Sequence, residues 1–209
     1  NIKELPYGEQ SLIMYDDFNF DGQKDFAIQD GQNSCYHGPS YKIFLAANKQ
    51  FVFNKNFTRL AQEYCGMFEV NNKEKKIYTM TKDGCCWHQF SEFIVVNNTP
   101  KALKIIEEDH TQFPYQITTE KKWNGKKMVE TIDKSIDLQE KAVTVILSFK
   151  LEKSNKQAIL FNLNNRVLYY ALMRQNDKVE FSYPSQIKYK KADFILQSEK
   201  NKKTISFTN

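Results

Sequence analysis

The chain has 209 residues, 41% hydrophobic and 26% charged, with a formal charge of +5. That composition excludes a disordered or collagen-like polymer, and no run approaches the roughly 18 apolar residues that a membrane-spanning helix requires. Its 30 basic residues are spread along the chain, with modest concentrations at 121–127 and 188–203, and read as strand edges and turns rather than as a nucleic-acid footprint.

The sequence opens on Asn1, and a processed N-terminal segment is expected, either a secretory signal or one carrying a lipid anchor. Residues 17–25 come next, in the pattern D-x-N-x-D-G-x-x-D. A hard cation such as Ca²⁺ takes about six to eight oxygen ligands, which alternating acidic and amide residues on a curling backbone supply. Asp17, Asn19 and Asp21 are the first three expected ligands. Gly22 permits the sharp bend, the Gln23 carbonyl turns inward, and Asp25 binds directly or through water. An EF-hand would carry Glu at the twelfth position, where this chain has Ile28. The residues after Asp25 alternate like a strand, so the segment reads as a strand-loop-strand staple rather than a calcium sensor.

Residues 30–41 pack Gly, Pro and small polar residues around Tyr36 and Tyr41. Tyrosine on a stiff loop offers a large face and a hydroxyl at low entropic cost, which suits a binding surface. Asn33, His37 and Ser40 are expected to add donors around it.

Short alternating segments follow, separated by polar turns: hairpins 42–46 with 50–54, 67–70 with 76–81, and 89–96 with 101–107. Asn124-Gly125 marks a further hairpin with a type I′ turn. Beyond it come 142–151, 157–163, 166–174, 178–183, 192–198 and 203–207, with turns at 153–155 and 175–177. The expected fold is all-β and antiparallel, propeller-like or sandwich-like, with the calcium loop between strands. It is expected as one domain over 1–209; a boundary between 115 and 140 is allowed by a helix-compatible stretch at 128–140, which would separate an N-terminal calcium-binding part from a C-terminal β part.

Four cysteines, Cys35, Cys65, Cys85 and Cys86, suit an oxidising compartment. Three pairings exist; Cys35 with Cys65 is favoured, leaving Cys85 and Cys86 bonded to each other or free, on opposite faces if they lie in a regular strand. No catalysis is expected, because His37, His88 and His110 show no metalloprotease spacing and no nucleophile elbow or phosphate loop is present. A calcium-stabilised adhesion or carbohydrate-binding module is the alternative reading of the same β architecture.

Residues 17–25, residues 36–45, and Gly84 to His88 followed by Glu92-Phe-Ile-Val carry a resemblance. They resemble the periplasmic immunity proteins first recognised in Xanthomonas, which neutralise peptidoglycan-cleaving, lysozyme-like effectors injected by an antibacterial type IV secretion system. That family is distantly similar to bacterial lysozyme inhibitors. The resemblance covers roughly residues 10–110 and extends loosely to Arg166–Tyr170 and Phe181–Pro184. It implies a propeller-like β fold, Ca²⁺ in the 17–25 loop, a periplasmic location, and a loop at residues 31–41 that plugs a hydrolase cleft with Tyr36 as first anchor and Tyr41 as second. Cys35 and His37 stand where small residues are expected in that loop.

Overall fold

The computed structural model describes residues 12–174, 177–185 and 194–207. Asn1, the expected turn residues Gln175 and Asn176, and the start of the 192–198 segment lie outside the described residues. Among the described residues the chain forms sixteen strands, one short α-helix and one 3₁₀ turn.

A first antiparallel sheet has the order β1-β2-β3-β4, made of β1 (Ile13–Asp16), β2 (Asp25–Gly31), β3 (Ser40–Ala47) and β4 (Gln50–Phe53). The second runs β10-β9-β8-β7-β6-β5, with β5 (Glu69–Asn71), β6 (Lys76–Asp83), β7 (Trp87–Val96), β8 (Thr99–Asp109), β9 (Tyr115–Trp123) and β10 (Met128–Ile136). The third has the order β11-β12-β13-β14, from β11 (Val143–Lys150), β12 (Gln157–Leu163), β13 (Val167–Met173) and β14 (Val179–Tyr183). The last is the hairpin of β15 (Phe194–Glu199) and β16 (Lys202–Phe207).

Asparagine sets the tight turns. Asn48 and Lys49, Asn97 and Asn98, and Asn164 and Asn165 all have φ between 50° and 63°, the left-handed pair that a two-residue hairpin needs for its twist to match the strands. Asn124-Gly125 departs from the expected type I′ geometry: only Gly125 has positive φ, at 95°. The Asn124 N–H bonds to the Lys127 carbonyl, and its side-chain oxygen accepts from the N–H groups of Lys126 and Lys127, so the connection is four residues long. The helix-compatible stretch at 128–140 is instead occupied by β10. Its Val129, Thr131 and Ile132 are β-branched, and β9 lies ready to pair across the turn, so tertiary pairing overrides the weak helical bias.

One helix was not expected from the sequence. Asn54 caps α1 (Lys55–Leu60) by accepting from the N–H groups of Asn56 and Phe57, and the helix buries Phe57, Thr58 and Leu60. At six residues it is too short to show an apolar period.

The chain divides into two compact units, Asn1–Glu107 with Glu120–Thr131, and Glu108–Thr119 with Ile132–Asn209. In the first, Ala27, Tyr41, Ile43 and Leu45 from the first sheet meet Ile77 and Phe93 from the second, with Phe57 and Leu60 of α1 in the same core. Two sheet faces on one core make this the sandwich-like form of the two expected architectures. In the second unit, Val167, Tyr169, Ala171 and Met173 alternate inward along β13 and pack with Ile159 and Phe161 of β12.

Candidate functional site

The 17–25 loop curls through its own side chains. Asp17 Oδ1 accepts from the Asp21 N–H at 3.0 Å and Asp17 Oδ2 from the Gly22 N–H at 2.8 Å, while Asp21 Oδ1 accepts from the Gln23 N–H at 2.8 Å. Gly22 sits at φ +88°, where a side chain would be strained. Asn19 Oδ1 accepts from the Asp21 N–H, and its Nδ2 donates to Asp21 Oδ2 and to Asn98 Oδ1, tying the loop to the β7–β8 turn.

Asp25, the last of the expected ligands, is also held from inside the fold. It is fully buried, its Oδ2 accepts from the N–H groups of Phe18 and Asn19 at 2.8 and 3.3 Å, and its Oδ1 from the Ala46 N–H at 2.8 Å. Burial pushes its carboxyl above the ordinary value, and the three backbone hydrogen bonds pull the other way. The residue is an interior clamp joining the loop to β3. Among the described residues no group of three or more His, Cys, Asp or Glu side chains is placed to hold a metal. The oxygens that fit a hard cation are therefore a mixed set: the carboxylates of Asp17 and Asp21, the amide of Asn19 and the Gln23 carbonyl. Each carboxylate retains lone pairs beyond those its backbone donors use.

The loop after β2 is closed on itself. The Ser34 N–H reaches the Gly38 carbonyl at 3.3 Å and the Gly38 N–H returns to the Cys35 carbonyl at 3.0 Å. A Cβ on Gly38 would lie 2.8 Å from Ser34 Oγ and 3.2 Å from the Cys35 carbonyl oxygen, so the residue must be glycine for the turn to close. Cys35 is bonded to Cys65, fastening the loop to the segment before β5, and Cys85 to Cys86. The adjacent pair lies in the turn between β6 and β7, not in a regular strand.

The five residues expected to contact a partner separate into two groups. Ser40 is fully buried; its Oγ donates to Asp30 Oδ1 at 2.7 Å and accepts from the Asn33 N–H at 3.1 Å, so it braces the loop from inside. Tyr41 is 4% exposed and belongs to the first unit's core, which removes it as a second anchor. The reason is strand alternation: Tyr41, Ile43 and Leu45 share the inward face of β3. Asn33, Tyr36 and His37 are exposed, with Tyr36 at 59%. Tyr36 and His37 have φ of 52° and 58°, a left-handed pair uncommon for residues with side chains, which turns both outward.

Sequence reasoning missed what Tyr36 rests on. Its hydroxyl oxygen accepts from the Gly84 N–H, and Lys82 Nζ lies over its ring, 5.1 Å from the centroid. The vicinal cysteines therefore stand beside the tyrosine loop. The only sequence signal for this was Gly84 directly before two cysteines, which marks a turn but not its neighbour. With its oxygen accepting from Gly84, the phenol keeps its own hydrogen free to donate to an incoming acceptor.

The outer face of the first sheet carries Tyr15, Phe26, Phe44 and Phe53 in one cross-strand row. Tyr15 stacks on Phe26 and Phe26 on Phe44 at 5.9 and 4.9 Å with interplanar angles of 29° and 22°. Phe53 meets Phe44 edge to face at 5.7 Å and 65°, so the row is packed ring against ring along the sheet.

Together these features define a disulfide-fastened antiparallel β protein with an exposed, braced tyrosine loop. The chain is similar to a solved structure titled "Structure of a Xanthomonas Type IV Secretion System related protein", with 26% sequence identity and a TM-score of 0.54 over 60% of this chain. The match spans 60% of the length of that chain as well. No family model matches the sequence, and no curated protein matches it. Among the described residues no helix is long and apolar enough to cross a membrane, a statement that does not concern β-barrels.

Proposed function

We propose that the protein is a periplasmic immunity protein that inhibits a peptidoglycan-cleaving, lysozyme-like effector by setting Tyr36 into its active-site cleft, and that it is not itself an enzyme. The observation that carries the reading is an exposed tyrosine held in left-handed backbone, seated on the Gly84 N–H and fastened through Cys35. Such pre-ordering lowers the entropy lost on binding. Glycan hydrolases act through two carboxylates in an open cleft; a phenol with a free hydrogen, flanked by Lys82 and His37, is a donor suited to such acceptors. The solved relative is related to a type IV secretion system, which agrees with a role against an injected effector.

The decisive experiment measures hydrolysis of peptidoglycan by a cognate lysozyme-like effector at increasing concentrations of this protein. Tyr36→Ala is expected to weaken inhibition by about 2 kcal/mol, roughly thirtyfold, with an unchanged melting temperature because Tyr36 buries little in the fold. Undiminished inhibition by this variant would remove Tyr36 from the site.

Ca²⁺ is proposed to bind at Asp17, Asn19, Asp21 and the Gln23 carbonyl as a staple. When bound, it supplies positive charge that offsets the two carboxylates. The loop's own backbone donors orient those oxygens, and Asp25 carries the resulting rigidity into β3. Calcium at about 100 times its dissociation constant should stabilise the folded protein by about 2.7 kcal/mol. Thermal melts in calcium and in chelator test this; superimposable curves at millimolar calcium would rule the ion out.

A further inference from the structure

Beside the Tyr36 loop, the outward face of the second sheet is hollowed into a cavity of about 520 Å³ that begins at Cys65. Two cross-strand rows build it. One is apolar: Met80 pairs with Phe90 across β6 and β7, and Met67 and Ile106 also line the cavity. Met80 is 37% and Phe90 44% exposed, so this floor is open to a ligand. The other row is polar, with Glu69 opposite Tyr78 and Tyr78 opposite Glu92.

The charges of the polar row are not equivalent. Glu92 pairs with Lys76 at 2.8 Å, and Lys104, also on the rim, pairs with Glu120 at 3.4 Å. Glu69 is exposed and has no ion pair or hydrogen bond among the described residues. The hollow thus offers a strip of thioether and aromatic surface and one uncompensated carboxylate.

We propose that this groove receives an arginine side chain of the partner protein, its alkyl stem along Met67, Met80 and Ile106 and its guanidinium at Glu69. An apolar floor selects a stem that gives up water there, and a lone carboxylate selects a cationic head. The aromatic rings of Phe90 and Tyr78 favour a planar guanidinium over an ammonium. A protein is the source because the groove is continuous with the Tyr36 loop: Cys65 lines it, and its disulfide partner Cys35 immediately precedes Tyr36. An interface of ordinary size, about 800 Å² on each side, extends over both. The inference rests on the inhibitor reading for its partner, but not for the groove's chemistry.

The test has two arms, both on the full chain. In the first, n-butylguanidinium at millimolar concentration is followed by the methyl resonances of the methionines. Saturable shifts at Met67 and Met80 are expected, absent with the neutral n-pentanol and weakened at least about fivefold, the effect of losing roughly one charge contact, by Glu69→Gln. Absence of saturable shifts, or equal shifts in the variant, overturns the groove. In the second arm, Glu69→Lys should raise the inhibitory constant against the lysozyme-like effector about tenfold or more while the melting temperature holds. If Tyr36→Ala abolishes inhibition and Glu69→Lys leaves it intact, the groove lies outside the interface and the proposal is overturned. If n-butylguanidinium binds as expected but the protein inhibits no such effector, it is the inhibitor reading that fails, and with it the assignment of the arginine to that partner.

Discussion

Asp25→Ala is expected to destabilise the first unit on the order of 3 to 5 kcal/mol, since each buried donor left unpaired costs about 1 to 3 kcal/mol. The carboxylate satisfies the N–H groups of Phe18, Asn19 and Ala46, and alanine leaves all three unpaired, the first two buried and the third partly buried. Two of those bonds are short and one is long, which places the expectation inside the range rather than at its top. Set against a typical total of about 5 to 15 kcal/mol, the loss brings this part of the molecule near its unfolding threshold. Urea titration read by tryptophan fluorescence and far-ultraviolet circular dichroism measures it. Asp25→Asn retains one acceptor oxygen and should fall between the two. Equal midpoints for wild type and Asp25→Ala would show that the clamp contributes nothing.

Removing the Cys35–Cys65 bond as the pair Cys35→Ser with Cys65→Ser is expected to cost roughly 3.5 kcal/mol. The two residues are 30 apart in sequence, and the entropy that a cross-link of that span removes from the unfolded chain has about this size. The matched control is Cys85→Ser with Cys86→Ser, whose separation of 1 closes no chain loop; its stability change should stay within about 1 kcal/mol. The two pairs should also differ in function. Loss of Cys35–Cys65 frees the segment bearing Tyr36, so on the proposed function it should weaken inhibition beyond what instability explains. Loss of Cys85–Cys86 disturbs only the turn that supplies the Gly84 N–H. Comparable denaturation midpoints for the two double variants would contradict the assignment of the long bond as the stabilising one.

Much of the strand pattern was legible because its signals are local. Period-two alternation and asparagine-rich turns locate the β3–β4 and β7–β8 hairpins, and each depends only on residues a few positions apart. Tyr36 was legible for the same reason: glycine, proline and small polar residues around an aromatic mark an exposed loop. Tyr41 and Ser40 were misread because exposure is decided by which face of β3 packs inward, and that depends on Phe57, Ile77 and Phe93 far along the chain. The interior partners of Asp25 are hidden for the same reason. Its spacing matches a ligand, but the Ala46 N–H that claims one of its oxygens comes from a neighbouring strand. The groove at Glu69 has no sequence signature at all, since it forms from side chains on four strands whose register only the folded sheet fixes.

The path of the chain between its two units limits how the molecule can be taken apart. The boundary is crossed after Glu107, after Thr119 and after Thr131, so β8, β9 and β10 each carry residues of both units. No single cut yields either unit with all of its own residues. A fragment ending at Glu107 keeps the tyrosine loop, but it forfeits the stretch Glu120–Thr131, which includes the last four residues of β9 and the first four of β10. The unit that bears Tyr36 is therefore not a contiguous module of the chain, and any contiguous piece holding all of it also holds the Glu108–Thr119 segment of the other unit.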